Sequence, residues 1–279
     1  MIEIFNLRKV YGNGIVALKG ISTRISRRRV SVIGKNGAGK TTLIRILSTQ
    51  LEPTSGYALI NGLNILRDED RIRKKLSCIP QEARPIGMLT PYEHMMLYLT
   101  ARGMSFRSAS EEARKALKEV GLWDFRDTPT DELSGGMKRK LFVAMALASN
   151  AEVVFLDEPT TGLDPLSRVE IWSVIKGLSA ELLLTTHYME EAQSLTEEIV
   201  FMNDGEIIRQ GTPEEVLSEF SGKVRVESRR PVDGWIKVGG VYISYVSREE
   251  AQRYVEQGFD VKQITLDDLF FRYGVEIEP

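Results

Sequence analysis

The sequence predicts an α/β fold, a mostly parallel sheet with helices packed on it, and three observations carry that prediction. Val30-Ser31-Val32-Ile33, Val153-Val154-Phe155-Leu156 and Leu182 to Thr186 are short, mostly apolar runs of the kind buried parallel strands show. Helical stretches alternate with them: Leu43 to Leu47, Pro165 to Ala180 and Met189 to Leu195. Between the first run and its helix lies Gly34-Lys35-Asn36-Gly37-Ala38-Gly39-Lys40-Thr41-Thr42, which fits G-x-x-x-x-G-K-[ST].

Residues 1–33 read as short strands, Ile2 to Phe5, Ile15 to Leu18 and Ile21 to Ile25, with a turn cluster at Tyr11-Gly12-Asn13-Gly14. Arg27-Arg28-Arg29 reads as a solvated turn before the core strand. Pro53 to Gly56 is a turn, Tyr57 to Asn61 a strand, and Ile72 to Leu76 ends a helix that leads into Ser77 to Gln81. From about Glu82 to Asn150 the chain is helical in composition, broken at Pro91, Gly103, Gly121 and Pro129; Tyr92 to Ala101 and Ser110 to Val120 are its clear helices. Met88, Met95 and Met96 are read as core packing, and His94 as structural. This stretch is a helical subdomain inserted into the α/β core. Glu198 to Met202 and Glu206 to Gln210 form a hairpin over Asn203-Asp204-Gly205, and Thr212 caps a helix.

Past Ser221-Gly222 the pattern shifts. Val224 to Glu227, Trp235 to Val238, Val241 to Val246 and Val261 to Ile264 read as strands; Ser247 opens one helix, and Thr265 to Tyr273 forms another. The division is residues 1–221 for the large domain and 222–279 for a small α/β appendage, expected to lean on the large domain or on a second copy.

Bulk numbers narrow the function. The chain has 279 residues, 37 Lys and Arg against 39 Asp and Glu, and so a net charge of −2. That balance argues against a nucleic-acid binder. The single cysteine, Cys78, cannot form an internal disulfide, which fits a reducing, cytosolic setting. No apolar run is long enough to span a bilayer, and the N-terminus lacks a basic-then-apolar signal segment, so work at a membrane is expected to go through a partner.

The chemistry starts at the glycine-rich loop. Gly34, Gly37 and Gly39 let successive N–H groups point into one concavity at a helix N-terminus, where the dipole favours anions. Lys40 supplies a positive charge for the β- and γ-phosphates, Thr41 a hydroxyl for Mg²⁺, and Thr42 a donor to the α-phosphate. With Asn36 and Ala38, these are the nucleotide-binding residues. Asp157-Glu158 ends a buried apolar strand, where two carboxylates need a reason. Downstream of a P-loop they read as a Walker B pair. Asp157 holds Mg²⁺ through water, and Glu158 orients or deprotonates the water that attacks the γ-phosphorus. His187 ends the third strand, within reach of a γ-phosphate. Leu133-Ser134-Gly135-Gly136-Met137 starts a helix running to about Ser149 and forms a second anion site, with Ser134 as N-cap.

In this order the motifs resemble the ATP-binding subunits of ABC transporters, over about residues 1–220: Tyr11, the P-loop, Gln81, Leu133 to Met137, Asp157-Glu158, Gly162-Leu163-Asp164 and His187. The resemblance implies a P-loop NTPase core with ATP and Mg²⁺ as ligands. It implies that Tyr11 stacks on adenine, and that Gln81 touches Mg²⁺ and the attacking water. Ser134, Gly135 and Gly136 would bind the γ-phosphate of ATP held by another subunit, with Asp164 at the dimer interface. The dimer, of identical or related chains, would be cytoplasmic and peripheral on the inner face of the membrane through a multi-spanning permease. Met137, Thr161-Gly162 and Asn150-Ala151 depart from the family's usual residues without removing a catalytic group. The ending Thr265 to Phe270 resembles that of drug-, antibiotic- and lipid-type export ATPases. The alternatives are a soluble ABC-type ATPase acting on ribosomes or nucleic acid, and a non-catalytic nucleotide switch.

Overall fold

The computed structural model describes residues 1–273. In chain order, strands β1 (Ile2–Val10), β2 (Val16–Ile25) and β3 (Arg29–Ile33) lead into helix α1 (Lys40–Leu47). Then come β4 (Ser55–Ile60), β5 (Leu63–Asn64), α2 (Glu69–Lys75) and β6 (Leu76–Ile79). Three helices follow, α3 (Pro91–Ala101), α4 (Phe106–Glu119) and α5 (Gly135–Ala148). The core resumes with β7 (Val153–Asp157), α6 (Pro165–Gly177), β8 (Glu181–Thr186), α7 (Met189–Leu195), β9 (Glu198–Asn203), β10 (Glu206–Gly211) and α8 (Pro213–Val216). The chain closes with β11 (Lys223–Ser228), β12 (Ile236–Val238), β13 (Val241–Ser247), α9 (Arg248–Glu256), β14 (Asp260–Lys262) and α10 (Asp267–Tyr273).

The central sheet has the order β10-β9-β3-β8-β7-β6. All its pairings are parallel except β10 on β9. Strands β7 and β8 are buried along nearly their whole length, which is why they read as continuous apolar runs. A parallel sheet presents all its strand carboxyl ends at one edge. Ile33, Ile79, Asp157 and Thr186 end their strands there, so the loops that follow them meet.

A four-stranded antiparallel sheet, β2-β1-β4-β5, packs Ile4, Leu7, Leu18 and Ile60 onto α1 and the central sheet. Its two N-terminal strands are longer than the sequence suggests. The segments 15–18 and 21–25 are one strand, β2, carried through a register shift against β1, where Asn6 takes φ +46°. Helices α3 to α5 pack with β6, β7 and β8 around Leu99, Leu117, Leu141 and Leu156. Helix α4 starts at the Ser105 N-cap rather than at Ser110, because the Ser105 hydroxyl accepts from the Ser108 N–H. Of the three methionines read as core, Met95 and Met96 are buried, but Met88 is 85% exposed and is corrected to a surface residue. His94 is buried and accepts from the Ile86 N–H at 3.0 Å, as a structural histidine would.

The C-terminal sheet, β12-β13-β11-β14, is antiparallel throughout. Trp235 precedes β12 instead of belonging to it, and the strand expected at 261–264 is β14. The unit leans on the central sheet. Leu266, Leu269 and Phe220 share a core with Phe201 and Met189, and Phe270 meets the Phe201 ring edge-on at 5.3 Å. Truncating an aromatic as buried as Phe201 costs about 3–5 kcal/mol, so this seam is a firm one. Residues 274–279 of the expected appendage lie outside the described residues.

Candidate active site

The loop after β3 is built so that only small residues fit. A Cβ on Gly34 would lie 2.3 Å from the Met202 carbonyl oxygen. Gly39 takes φ +100° against the Ala17 carbonyl, so a side chain there would meet both strain and a clash. The backbone therefore turns tightly into α1 with Lys40 as its first residue. The Lys40 ammonium is buried and donates to the carbonyls of Gly34 and Lys35, at 2.8 and 3.2 Å. Burial lowers its pKa, and the neighbouring Glu158 and Asp157 carboxylates oppose that shift.

Asp157 is the last residue of β7, and its Oδ1 accepts hydrogen bonds from Thr185 on the adjacent strand and from Thr41 at 3.3 Å. Glu158 sits just beyond, in the left-handed region at φ +48°. For a non-glycine residue that costs roughly 1 kcal/mol. The conformation is held because the Glu158 N–H donates to the Thr185 carbonyl and hydroxyl, at 3.1 and 3.0 Å.

The Glu158 carboxylate is 5% exposed as a residue and is ringed by donors. Its Oε2 accepts from Thr161 Oγ1 at 2.8 Å and from Gln81 Nε2 at 3.2 Å, and His187 Nδ1 lies 3.2 Å away. Lys40 Nζ lies 3.7 Å from Oε1. These groups line a cavity of about 690 Å³, together with Tyr11, Asn36, Gly37, Gly39, Thr41 and Thr42. Tyr11 and Thr42 hydroxyls are hydrogen-bonded at 3.1 Å, so the aromatic ring stands at the P-loop end. Gly34 and Ala38 support the loop from beneath: Ala38 is buried, and Gly34 backs onto β9.

The Ser134 to Gly136 segment and Asp164 do not line this cavity. Ser134 caps α5, its Oγ accepting from the Met137 N–H, and Asp164 caps α6, its Oδ1 accepting from the Ser167 N–H. Ser167 hydrogen bonds hold the Asp164 carboxyl below the usual carboxylate range. The two caps are neighbours, since a Cβ on Gly136 would lie 3.0 Å from Ser167 Oγ. Gly135 opens instead onto a second cavity of about 650 Å³ that shares Gln81, Glu158 and Thr161 with the first.

The protein-family model described as ABC transporter matches residues 18–161. The daunorubicin/doxorubicin resistance ATP-binding protein DrrA of Streptomyces peucetius is 37% identical over 227 residues, covering 80% of this chain and 68% of that one. The chain belongs to the ATP-binding domains of the ABC transporters. ABC transporter A family member 10 of Arabidopsis thaliana is 34% identical over 95% of this chain, and the chain spans only 31% of that relative's length. Among solved structures, a dimer of the ATP-binding cassette MJ0796 in a post-hydrolysis state, bound to ADP and phosphate, is 29% identical with a TM-score of 0.69, covering 76% of this chain and 98% of that one.

The cassette's ligand is therefore ATP, an ATPase reading that the P-loop and Asp157-Glu158 already supported. The sequence reading missed three groups around it. Thr161 was noted only as a departure, yet it is the shortest contact of the Glu158 carboxylate. Thr185 steadies both Asp157 and the Glu158 N–H; two threonines ending a leucine run were its signal. Arg139, buried in the second turn of α5, reaches the carbonyls at the end of β7 and just past β6 and β7. Burial lowers its pKa, against the pull of Asp157, Glu191 and Glu158.

Proposed function

We propose that this chain is the ATP-hydrolysing subunit of an ABC exporter, in which two cassettes close on ATP and drive a separate multi-spanning permease. Residues 1–221 form the ATP-binding domain, with a helical subdomain at about 82–150, and residues 222–279 form an accessory unit. The observation that carries the reading is the convergence of Lys40, Gln81, Thr161 and His187 on the Glu158 carboxylate beside the P-loop cavity.

Each residue then has a role. The N–H groups of Asn36 to Gly39 and the Lys40 ammonium take the phosphates, Thr42 donates to the α-phosphate, and Tyr11 stacks on adenine. Glu158 orients the attacking water and draws off its proton, while Gln81, Thr161 and His187 fix the carboxylate. His187 is also placed to meet the charge that develops on the γ-phosphoryl oxygens. Thr41, Asp157 and Gln81 offer the all-oxygen donor set that Mg²⁺ takes alongside water, and the metal when bound would neutralise phosphate charge.

Ser134 to Gly136, away from this cavity, supports a sandwich in which they bind the γ-phosphate of ATP held by a partner cassette, with Asp164 at the interface. The drug-resistance and phospholipid-transporting names of relatives favour export. Among the described residues no helix is long and apolar enough to cross a membrane; in this proposal the chain works at the inner, cytoplasmic face through the permease.

Purification of the tagged chain from native membranes in mild detergent tests the proposal. A multi-spanning permease recovered near one-to-one is the expected result. Recovery with ribosomes, or of soluble protein alone, would move the assignment to a soluble ABC-type ATPase.

A further inference from the structure

Among the described residues, Arg139 is a buried cation of the site region that the steps above leave unused. It lies five residues past Ser134 on α5, about 7 Å along the helix axis. Its guanidinium places all five N–H donors on main-chain carbonyls. Nε donates to Pro159 O at 2.7 Å, and one terminal nitrogen donates to Asp157 O and Glu158 O at 2.9 and 2.8 Å. The other terminal nitrogen donates to Pro80 O and Gln81 O at 3.3 and 3.4 Å. Both segments that supply these oxygens carry catalytic groups. Three consecutive carbonyls, 157 to 159, can turn toward one cation because Glu158 sits at φ +48°.

We infer that Arg139 is a positioning residue that ties the Ser134 to Gly136 end of α5 to this chain's own Gln81 and Glu158. The inference rests on the reading above, in which that end of α5 meets the nucleotide of a second cassette. A helix turn is stiff, and a planar guanidinium fork with every donor used fixes both distance and direction. A shift of the α5 start toward the partner's nucleotide therefore moves the peptide that aims the Glu158 carboxylate. Occupancy of one ATP site is in this way felt at the other, which is a coupling between sites. Lysine at this position carries the charge but only a point-like ammonium, whose three donors reach at most three of the five oxygens. An apolar residue bonds none.

Steady-state turnover of the purified full-length chain against ATP concentration, with mant-ATP affinity measured in parallel, tests this on R139M and R139K. An unsubstituted chain that neither binds nor hydrolyses ATP overturns the proposed function itself, whatever the variants do. With an active chain, R139M is expected to keep mant-ATP affinity within about threefold while kcat falls about 100-fold, the size of loss that a 1 Å misplacement brings. R139K should fall between the two, and the Hill coefficient for ATP should drop toward 1 in R139M. A kcat for R139M near that of the parent overturns the inference. So does loss of mant-ATP binding in both variants, which would make Arg139 a prop of the fold. A Hill coefficient that starts at 1 or does not change removes the link between sites.

Discussion

Glu158 and Asp268 are both buried carboxylates, 5% and 0% exposed, and their surroundings separate a site that reacts from one that holds structure. Asp268 Oδ1 accepts from Arg225 at 2.8 Å, and its Oδ2 accepts from the Thr265 N–H at 2.7 Å, capping α10. Arg225 goes on to Glu227 at 2.9 Å, and Lys262 closes on the other Glu227 oxygen at 2.7 Å. Two cations and two carboxylates alternate there, each with a fixed partner. Burial alone would lower the Arg225 pKa, but Asp268 and Glu227 outweigh it and hold the guanidinium charged. Glu158 has a mixed set instead: an amide, a hydroxyl, an imidazole and a lysine at 3.7 Å, all facing a cavity. Lys40 stands nearer to carbonyls than to Glu158. A carboxylate already closed by its own cation has nothing left for a ligand, whereas one ringed by longer contacts on a cavity wall does.

The largest effect that can break this contrast is on turnover. Glu158→Gln keeps shape and removes the base, so kcat for ATP should fall by about 10³-fold while mant-ATP affinity stays near the parent value. Lys40→Ala removes the buried cation of the P-loop, and there the affinity itself should be lost. Hydrolysis surviving in Glu158→Gln would place the base elsewhere.

Next comes the closed network. Asp268→Leu takes one of the two carboxylate partners of buried Arg225 and leaves it Glu227 alone, which should lower stability by about 3 kcal/mol. Trp235, which packs against Tyr254 and Phe259, reports unfolding of this unit by fluorescence in urea when Trp123 and Trp172 are replaced by Phe. Adding Arg225→Met to the same chain should restore most of the loss, because no charge is then stranded. Turnover per folded molecule should not change in either variant. A double variant no more stable than the single one would mean that the network acts through packing rather than charge.

The contrast also explains what the sequence could tell. Lys40, Thr41, Asp157 and Glu158 were legible because each motif is contiguous and ends a readable apolar strand. The parallel sheet was legible for the same reason, as its strands are buried on both faces. Thr185 and Arg139 were not singled out, because their partners lie 28 and 18 to 59 positions away and only the fold brings them together; Thr161 was noted as a departure, but its contact depends on the left-handed turn at Glu158. Thr265 to Tyr273 was legible as a helix and Thr265 to Phe270 as a family-like ending, but the ion pair of Asp268 with Arg225 needs the β11 pairing to exist. Met88 misled because it groups in sequence with Met95 and Met96, whereas it lies in the exposed turn ahead of α3 and on no helix. The split of β2 misled because glycine reads as a break, while here Gly20 faces the Asn6 bulge within a continuous strand.

Acid should separate the two regions more gently. Burial alone would raise the Glu227 pKa, but Lys262 and Arg225 together outweigh that and hold it below the usual value. A depressed folded pKa adds stability above the unfolded value, near 4.3, and loses it as pH falls through the folded one. The Trp235 midpoint in urea should therefore drop as pH falls below about 4. Glu227→Gln should flatten that drop. An unchanged slope would assign the acid sensitivity to other carboxylates.

The smallest effect concerns a third kind of acid, a half-buried thiol. Cys78 lies on β6, at the edge of the central sheet and three residues before Gln81. Burial pushes its thiol up to about 11; hydrogen bonds from Ser48 and Gln50 oppose the shift but do not cancel it. It has neither the paired cation of Asp268 nor the cavity of Glu158, so it stays protonated. Iodoacetamide at pH 8 should label it about 100-fold more slowly than a free thiol, since only the thiolate attacks. Labelling in urea should be fast, and ATP turnover should survive the native treatment. Rapid native labelling would mean that the β6 edge opens, and the backbone leading into Gln81 would then be part of a moving element rather than of the rigid sheet.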